Sequence, residues 1–399
     1  MTTRRASFRR MGAPALDAAL QDARRHTLAL FEALAAAGYG QAAQVPRLDI
    51  LNPPLWELGH LAWFAEWFVL REAASSAPGD ARGPSLLEHG DRWFDSNTVA
   101  HASRWELDLP APDALKDYGG MVLDSIRARL AHTSGEDEAL YPYRLVLAHE
   151  DMHGEALLYT LQTLGAAPAS FPAVEQALAA TGEIAFDAAR FLRGGEQARG
   201  FVFDNERQAA ACELAPFTID AGLVSNAAYL AFMNDGGYAC PAYWSEAGRA
   251  WLRESERAAP RYWQRDTAGN GWHTLRFGSR VALDPLEPVR HVSLYEAAAY
   301  CRWAGRRLPQ EDEWEYAALS NQPGFHWGQL WEWTASPFLP HAGFTAGRYR
   351  EYSAPYFGSR QVLRGASFAT PERLRSPHFR NFYTAGRDDI FAGFRTCAL

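Results

Sequence analysis

The sequence predicts two structural units of different class: an N-terminal bundle of four α-helices and, after it, a loop-rich α+β domain. Between residues 15 and 164, apolar residues recur with helical periodicity in four segments. From about residue 200, short strand-like runs are separated by stretches rich in Gly and Trp. The length of 399 residues is also typical of two domains. We place a disordered tail at residues 1–12, the bundle at 13–165, a linker at 166–200 and the second domain at 201–399.

The composition excludes several classes of protein. The chain has 22% charged and 48% hydrophobic residues, as ordinary globular proteins do. Its net charge of -8 argues against a nucleic-acid-binding surface. No apolar run is long enough to span a bilayer, and no apolar segment follows the basic N-terminus to make a signal peptide. The four cysteines lack CxxC spacing, which argues against a zinc ribbon or a disulfide framework. We expect a cytoplasmic protein without membrane or nucleic-acid partners.

The first three predicted helices have recognisable ends. The first covers residues 15–36, and two glycines follow it. The second begins with Asn52 as a capping residue and prolines in its first turn, and extends to about residue 72. The third is predicted over residues 112–131.

The fourth helix is predicted over residues 141–164. Ser134 and Asp137 lie upstream of it in the arrangement of a capping box, and Gly165 is its stop signal. Within it, His149 and His153 share one face, because residues i and i+4 lie about 5–6 Å apart on a helix. They could therefore bind one metal ion. Two packed or solvated histidines on an ordinary helix are equally consistent with this short pattern.

Other residues were weighed as a third ligand. Glu155 lies about 200° around the helix from His153, so we do not expect it to join the histidines. His60 is the better candidate, although a lone histidine among aromatic residues is more often a packed core residue. The aromatic residues on its helix face are Trp56, Trp63, Phe64 and Trp67. An imidazole buried there without a partner would be destabilising.

Facing helices of a bundle commonly assemble metal sites in the bundle interior. His60, His149 and His153 would form a three-histidine site with open coordination positions. Such a site suits iron(II) or zinc, and the spacing does not choose between them.

A long segment, residues 91–105, separates the second and third predicted helices. Loops of this length in a compact domain are usually functional or disordered, and the aromatic residues here argue against disorder. The C-terminal half has strand-like runs at 201–203 and 217–219 and two convincing helices, 225–234 and 293–303, the second with Ser293 as N-cap. That half indicates no chemistry by itself.

Several C-terminal motifs resemble the formylglycine-generating-enzyme/sulfatase-modifying fold, a C-type-lectin-like architecture. They are FDNE at 203–206, VSNAAY at 224–229, PVRHVS at 288–293, RLPQEDEWEYAA at 307–318, GQLWEWT at 328–334, VLRGASF at 362–368 and IFAGFR at 390–395. In the helical half, LGH at 58–60 and HEDMHGE at 149–155 resemble the DinB-like domain, itself a four-helix bundle. This pairing, in this order, resembles the ergothioneine-biosynthesis sulfoxide synthases over nearly the whole chain.

The resemblance implies a mononuclear non-heme iron(II) bound by the three histidines. It also implies hercynine, the N-trimethylated histidine, as substrate and O2 as co-substrate. The reaction joins a chalcogen atom to the imidazole C2 and oxidises that chalcogen. The family's catalytic tyrosine, thought to supply a proton during the O2 chemistry, maps near residues 348–352. Tyr349 and Tyr352 are its candidates, and surface tyrosines in a loop are the alternative for each.

Residues 380–387 match a stretch that lines the substrate site in the family. The candidate substrate-binding residues there are Asn381, Phe382, Tyr383 and Arg387. Mycobacterial-type enzymes, which use γ-glutamylcysteine, have Asp at the position of Tyr383, and an Arg at that of Arg387. They also have Gln at the position of Met152, between the two helix-four histidines.

These departures resemble the selenoneine-synthase branch, which couples a selenosugar to hercynine. A sugar lacks the carboxylates that a cationic clamp would recognise. Asp95, Ser96 and Arg104 in the long loop offer groups that bind hydroxyls. The resemblance therefore predicts a selenosugar as second substrate, with a thiol as the alternative.

Three hypotheses follow for the function. The first is iron(II)- and O2-dependent C–Se bond formation on hercynine, or C–S bond formation with γ-glutamylcysteine or cysteine. The second is a zinc hydrolase or transferase that uses the same histidines. The lack of a general base at HExxH spacing argues against it. The third is a ligand-binding module without enzymatic activity.

Overall fold

Five α-helices form the N-terminal half of the structure, a computed structural model that describes residues 7–168, 181–195, 200–266 and 271–399. They are α1 (Ala13–Leu34), α2 (Pro54–Ala65), α3 (Gly90–Phe94), α4 (Pro112–Leu130) and α5 (Asp137–Leu164). The four long helices match the four predicted segments, and the short α3 lies in the segment predicted as a loop. Among these described residues, no helix is long and apolar enough to span a membrane.

The helices pack as two main pairs, α1 with α5 and α2 with α4. Every residue of α2 is buried, which explains why this helix has no polar face. A π-helical turn, Glu66–Leu70, continues it. The histidines of α2 and α5 therefore lie in the interior of the helical half.

Two predicted helix caps are wrong. Pro53 is the N-cap of α2, and Asn52 instead donates to the Glu57 carboxylate at 2.6 Å. Glu136 is the N-cap of α5, without a side-chain cap, and Asp137 accepts a hydrogen bond from Arg144 at 2.7 Å. In both cases the side chain binds a residue five or seven positions further along the chain and does not cap the helix. The stop at Gly165 is confirmed, since its φ of +69° is the left-handed conformation that glycine adopts without strain.

Residues 7–12 are not a disordered tail. Phe8 is fully buried against Phe201 and Phe203, with ring centroids 5.3 and 6.3 Å away. Arg9 pairs with the buried Glu206 at 2.6 Å. The N-terminus is thus fixed to the second half by apolar packing and an ion pair. Residues 1–6 of the predicted tail lie outside the described residues.

The second half combines short strands with four helices in the part of the chain that is described. The strands are β1 (Glu183–Phe186), β2 (Ala189–Arg193), β3 (Ala210–Leu214), β4 (Phe217–Asp220), β5 (Trp263–Arg265), β6 (Trp272–Arg276), β7 (Ser279–Ala282), β8 (Trp331–Pro337), β9 (Gln361–Gly365), β10 (Asn381–Tyr383) and β11 (Ala392–Gly393). The helices are α6 (Asn226–Asn234), α7 (Glu246–Ser255), α8 (Leu294–Trp303) and α9 (Glu311–Leu319).

The largest described sheet has the order β10-β9-β8-β11. Its pairs are antiparallel except for β11, which runs parallel to β8. The other strands form the pairs β1-β4 and β2-β3 and the three-stranded sheet β5-β6-β7.

The structure corrects the sequence prediction at three places in this half. Strands β1 and β2 lie within the predicted linker, but they pair with β4 and β3 and so belong to the second half. Residues 169–180 and 196–199 of that linker lie outside the described residues. The predicted strand at 201–203 pairs with no strand among the residues that the structure describes, and it leads into a 3-10 turn, Asp204–Glu206. Helices α7 and α9 were not predicted.

Other predictions for this half are confirmed. The run at 217–219 is strand β4, and the segments at 225–234 and 293–303 are α6 and α8. Ser293 caps α8 in a capping box with Glu296.

Buried polar contacts join the two halves along α5. The buried Glu155 carboxylate accepts hydrogen bonds from the Trp331 indole at 2.8 Å and the Thr370 hydroxyl at 2.7 Å. Four residues before it, Asp151 pairs with Arg373 at 2.7 Å. One face of α5 therefore binds the second half, while His149 and His153 on the same helix face α2.

Candidate metal centre and substrate pocket

The structure brings the three predicted histidines together. Each of His60, His149 and His153 offers a ring nitrogen, and these nitrogens lie within 4.8 Å of one another. Their ring centroids are 4.4 to 5.2 Å apart. His60 and His149 are each 2% exposed, whereas His153 is half-buried. The bundle interior and the i, i+4 spacing on α5 produce this convergence.

Each imidazole is oriented so that one nitrogen is available to the shared space. His60 donates from Nδ1 to the carbonyl of Phe94 at 2.8 Å, which leaves its Nε2 free of a proton. His153 Nδ1 lies 2.5 Å from the Glu57 carboxylate. His149 stacks on Phe64 at 3.6 Å between ring centroids, and its buried Nε2 has no hydrogen-bond partner among the described residues.

The unpartnered His149 nitrogen fits a metal site. A buried polar nitrogen without a partner is destabilising, and coordination of a cation would satisfy it. Three imidazole nitrogens with an oriented carboxylate behind one of them are also the usual arrangement of histidine metal sites. The residues present therefore fit iron(II) or zinc, with positions left for other ligands.

Burial keeps two of the three imidazoles neutral. Burial and the neighbouring His153 lower the pKa of His60 to about 3. Burial, His153 and His60 likewise hold the pKa of His149 well below its usual range. Burial opposes the charge on Glu57, but His153 and Asn52 outweigh it and lower the pKa of Glu57 to about 2. At neutral pH the site thus presents two neutral imidazoles, those of His60 and His149, and the negative charge of Glu57.

An aromatic wall extends from the histidines towards the second half. The Tyr349 ring lies 5.0 Å from Phe64 and 5.8 Å from His149, between centroids. Tyr352 lies 5.7 Å from Tyr349, and its hydroxyl is 3.9 Å from the Met152 sulfur. Burial raises the pKa of both tyrosine hydroxyls, so both keep their protons at neutral pH. Both candidate tyrosines are therefore half-buried, and Tyr349 lies beside His149.

Phe382 extends the same wall. Its ring stacks on Phe338 at 4.1 Å and lies 5.8 Å from Tyr352 and 5.4 Å from Tyr356. Its neighbour Asn381 accepts a hydrogen bond from the Phe382 amide through Oδ1 at 2.9 Å, which leaves the side-chain amide nitrogen as its donor.

Tyr383 and Arg387 form a separate cluster. Successive residues of a strand point to opposite faces, so Tyr383 faces away from the Phe382 side. The Arg387 guanidinium lies 4.9 Å from the Tyr383 ring and binds the buried Asp389 through two hydrogen bonds of 2.6 and 2.8 Å. The cationic group predicted for a co-substrate is therefore already paired within the chain.

The long loop contributes Arg104 to the site. Its guanidinium lies 3.8 Å from the Trp56 ring, which in turn stacks on His60 at 4.6 Å. It donates to Asn52 at 2.7 Å, and its buried Nε has no partner among the described residues. Asn52 binds Glu57 as well, so hydrogen bonds connect Arg104 through Asn52 and Glu57 to His153.

The other two predicted loop residues differ in their surroundings. Asp95 directly follows Phe94, is 4% exposed and accepts the Asn97 amide at 2.9 Å. Burial raises the pKa of Asp95 above its usual value. Ser96 is half-buried.

Three residues at the site were not predicted from the sequence: Glu57, Phe338 and Tyr356. A carboxylate three residues before His60 in an otherwise apolar helix was a usable signal for Glu57, because residues i and i+3 lie on one face. Phe338 and Tyr356 lie in irregular segments, where no periodicity identifies them.

The chain is similar to known proteins over both of its halves. Residues 174–330 and 320–398 match the Sulfatase-modifying factor enzyme 1-like domain. The chain is 31% identical to a hercynine oxygenase of Mycolicibacterium thermoresistibile, over 94% of this chain and 93% of that protein. It is also 31% identical to hercynine oxygenases of Mycolicibacterium smegmatis and Mycobacterium tuberculosis, each over 87% of this chain and 91% of the relative.

Proposed function

This chain belongs to the family of the hercynine oxygenases, the ergothioneine-type sulfoxide synthases, and from that premise we propose that it couples hercynine oxidatively to a selenosugar. In this proposal the reaction depends on iron(II) and O2 and forms a C–Se bond at the imidazole C2. That the chain is an enzyme of the oxidoreductase class follows from its relatives.

The observation that carries the proposal is the convergence of three imidazole nitrogens within 4.8 Å, one of them buried without a partner among the described residues. Zinc also fits these nitrogens, but it has no redox chemistry, whereas the relatives are oxygenases. When bound, iron(II) would supply the electron exchange with O2 that an oxidative coupling needs.

The overall reaction balances with O2 as the oxidant. The C2–H and Se–H bonds break and a C2–Se bond forms. One oxygen atom is added to selenium, and the other leaves as water with the two hydrogens. Protons must therefore move near the reacting atoms, and the tyrosine hydroxyls of the aromatic wall are the available acids.

Tyr349 is the better placed of the two candidate proton donors. Its ring lies 5.8 Å from His149, whereas Tyr352 packs behind it against Phe203 at 4.6 Å. Because burial raises its pKa, Tyr349 carries its proton at neutral pH and can donate it to a more basic oxygen. In this assignment Tyr352 holds Tyr349 and Met152 in position.

The aromatic wall suits the trimethylammonium group of hercynine. A cation over an aromatic face is stabilised by roughly 0.5–2 kcal/mol, depending on its desolvation. The rings of Tyr352 and Tyr356 lie 5.8 and 5.4 Å from that of Phe382, between centroids. The side-chain amide nitrogen of Asn381 would bind the carboxylate of hercynine directly or through a water molecule.

The choice of co-substrate rests on the charged groups of the chain that could bind it. Tyr383 provides no carboxylate for an ammonium group, and Asp389 neutralises Arg387. Burying a charged peptide-like molecule without partners would be costly, whereas a sugar needs hydrogen bonds and an apolar wall. Asp95, Ser96 and Arg104 would bind its hydroxyls.

A second candidate co-substrate is γ-glutamylcysteine or cysteine. It is favoured by the identity to hercynine oxygenases over almost the whole chain. It is also favoured by the unpartnered Nε of Arg104, which would suit a carboxylate.

A competition experiment separates the two candidates. Iron-loaded protein, hercynine and air are supplied with 1-selenoglucose, γ-glutamylcysteine or cysteine, and the products are identified by mass. The proposal predicts that the selenosugar is consumed fastest. Faster consumption of γ-glutamylcysteine would assign the chain to the sulfur reaction, and no product with any of the three would contradict both candidates.

A further inference from the structure

A second cavity lies between the end of α5 and the hairpin formed by β6 and β7. It has a volume of about 220 Å³, and Phe277, Phe368 and Phe391 supply its apolar walls. Gln162 lines it from α5, nine residues after His153, which places it about 13 Å further along the helix. The cavity is therefore distinct from the histidine centre.

Two arginines line this cavity, and they share one carboxylate. Arg276 and Arg290 both bind Glu287, the second at 3.3 Å. Their side chains are 25% and 12% exposed, and that of Glu287 is 6% exposed. Two partly buried cations against one buried anion leave a surplus positive charge. A buried charge without a full partner is destabilising unless another group compensates it.

Unused hydrogen-bonding capacity accompanies this charge. The Nε of Arg276 is buried and has no partner among the described residues. Burial and repulsion from Arg276 lower the pKa of Arg290 to about 10 despite Glu287, so Arg290 remains a cation at neutral pH. Burial and Arg290 hold the pKa of His291 well below its usual range, so this lining residue adds no charge.

We propose that this cavity binds a small monoanion with a planar apolar body, such as an aromatic carboxylate. Its carboxylate would pair with Arg276 and Arg290, because planar guanidinium groups match carboxylate geometry. Its ring would lie among the three phenylalanines, as apolar pockets with a few placed polar groups bind small molecules. A multiply charged anion without an apolar body would leave these walls unused.

Because the cavity lies between α5 and the second half, a bound ligand should stabilise the contact between them. Gln162 already joins the halves, since its side chain donates to the Leu275 carbonyl at 3.0 Å and accepts from the Phe277 amide at 2.9 Å. A ligand there would add contacts between α5, which carries two of the histidines, and the second half. We therefore expect binding to raise the melting temperature of the full chain.

Benzoate is the probe, with benzamide as its neutral match and inorganic phosphate as an anion without an apolar body. Titration calorimetry on the full chain should show saturable benzoate binding. Benzamide and phosphate should each bind at least about tenfold more weakly, because the charge-assisted hydrogen bonds or the ring contacts are lost. His60→Ala should bind benzoate as the wild type does, which places the site away from the histidines.

Arg290→Gln should lose benzoate binding. Arg280→Gln is the matched control, since Arg280 lies on the same hairpin, is exposed and pairs with Asp266. If Arg290→Gln does not fold, as judged by circular dichroism, Arg276→Gln decides in its place. Equal binding of benzoate and benzamide, unchanged binding in the arginine variant, or loss of binding in His60→Ala would each overturn the proposal.

Discussion

The two sides of the candidate site are built in different ways. The histidine side is held by two regular helices, and its orienting groups, Glu57 and the Phe94 carbonyl, lie within or beside them. The side proposed for the co-substrate lies on irregular segments, where charged groups such as Arg387 are already paired inside the chain. The spacing of residues in a helix predicts which side chains lie together, whereas the spacing of residues in a loop does not predict their ion pairs. In the proposed function, the helices would therefore fix the metal ligands and the loops would determine the choice of co-substrate.

The largest effect should come from removing a ligand on the histidine side. His153→Ala would leave two imidazole nitrogens and an unpaired Glu57, so we expect iron content to fall sharply and turnover to be abolished. Metal analysis and product formation measure this. His132→Ala, at an exposed histidine of the helical half, is the control and should behave as wild type. Full iron loading in His153→Ala would contradict the ligand assignment.

The next effect concerns the carboxylate behind His153. Glu57→Gln keeps the side-chain shape but removes the charge that orients the imidazole, so iron(II) affinity should fall about 10–100-fold. Titration of metal-free protein with iron(II) measures the affinity. Glu138→Gln, at an exposed position of the helical half, is the matched control. Unchanged affinity in Glu57→Gln would show that His153 needs no orienting carboxylate.

A smaller effect is expected on the aromatic wall. Phe382→Ala should weaken hercynine binding by about 0.5–2 kcal/mol while iron content stays constant, because the ring contacts the proposed ammonium position and no histidine. Phe382→Tyr keeps an aromatic face and should restore most of the affinity. Equal losses of hercynine and iron binding would point to misfolding and not to a lost cation–π contact.

The smallest catalytic effect is expected where the charge is already paired. Arg387→Gln leaves the buried Asp389 without its cation, which should destabilise the fold by about 3–5 kcal/mol. Adding Asp389→Asn should recover most of that stability and leave the KM for the selenosugar within about twofold of wild type. Chemical unfolding and steady-state kinetics measure the two quantities. A large rise of KM in the folded double variant would mean that Arg387 binds the co-substrate.

The same contrast explains which features were predictable from sequence. The four long helices and the three convergent histidines follow from periodicity and i, i+4 spacing. The caps predicted at Asn52 and Asp137 are wrong because side chains within the following helix, Glu57 and Arg144, bind those residues instead. Strands β1 and β2 lie in the predicted linker because their pairing partners are 17 to 37 residues away in sequence, beyond the reach of local patterns.

The pairing of Arg387 with Asp389 was also invisible to sequence patterns. Two residues apart in a loop, these side chains have no fixed geometry until the chain around them folds. Helices α7 and α9 were missed because ten and nine residues give too few repeats for a convincing period.

The most direct test of the central proposal is to load metal-free full-length protein anaerobically with iron(II) or with zinc, and then to add hercynine, 1-selenoglucose and O2. The account predicts about one iron(II) per chain, because the three histidines form a single site. It also predicts O2 consumption and coupled product with iron only, since zinc cannot exchange electrons with O2. Equal turnover by the zinc-loaded protein, or no turnover with a fully iron-loaded one, would contradict it.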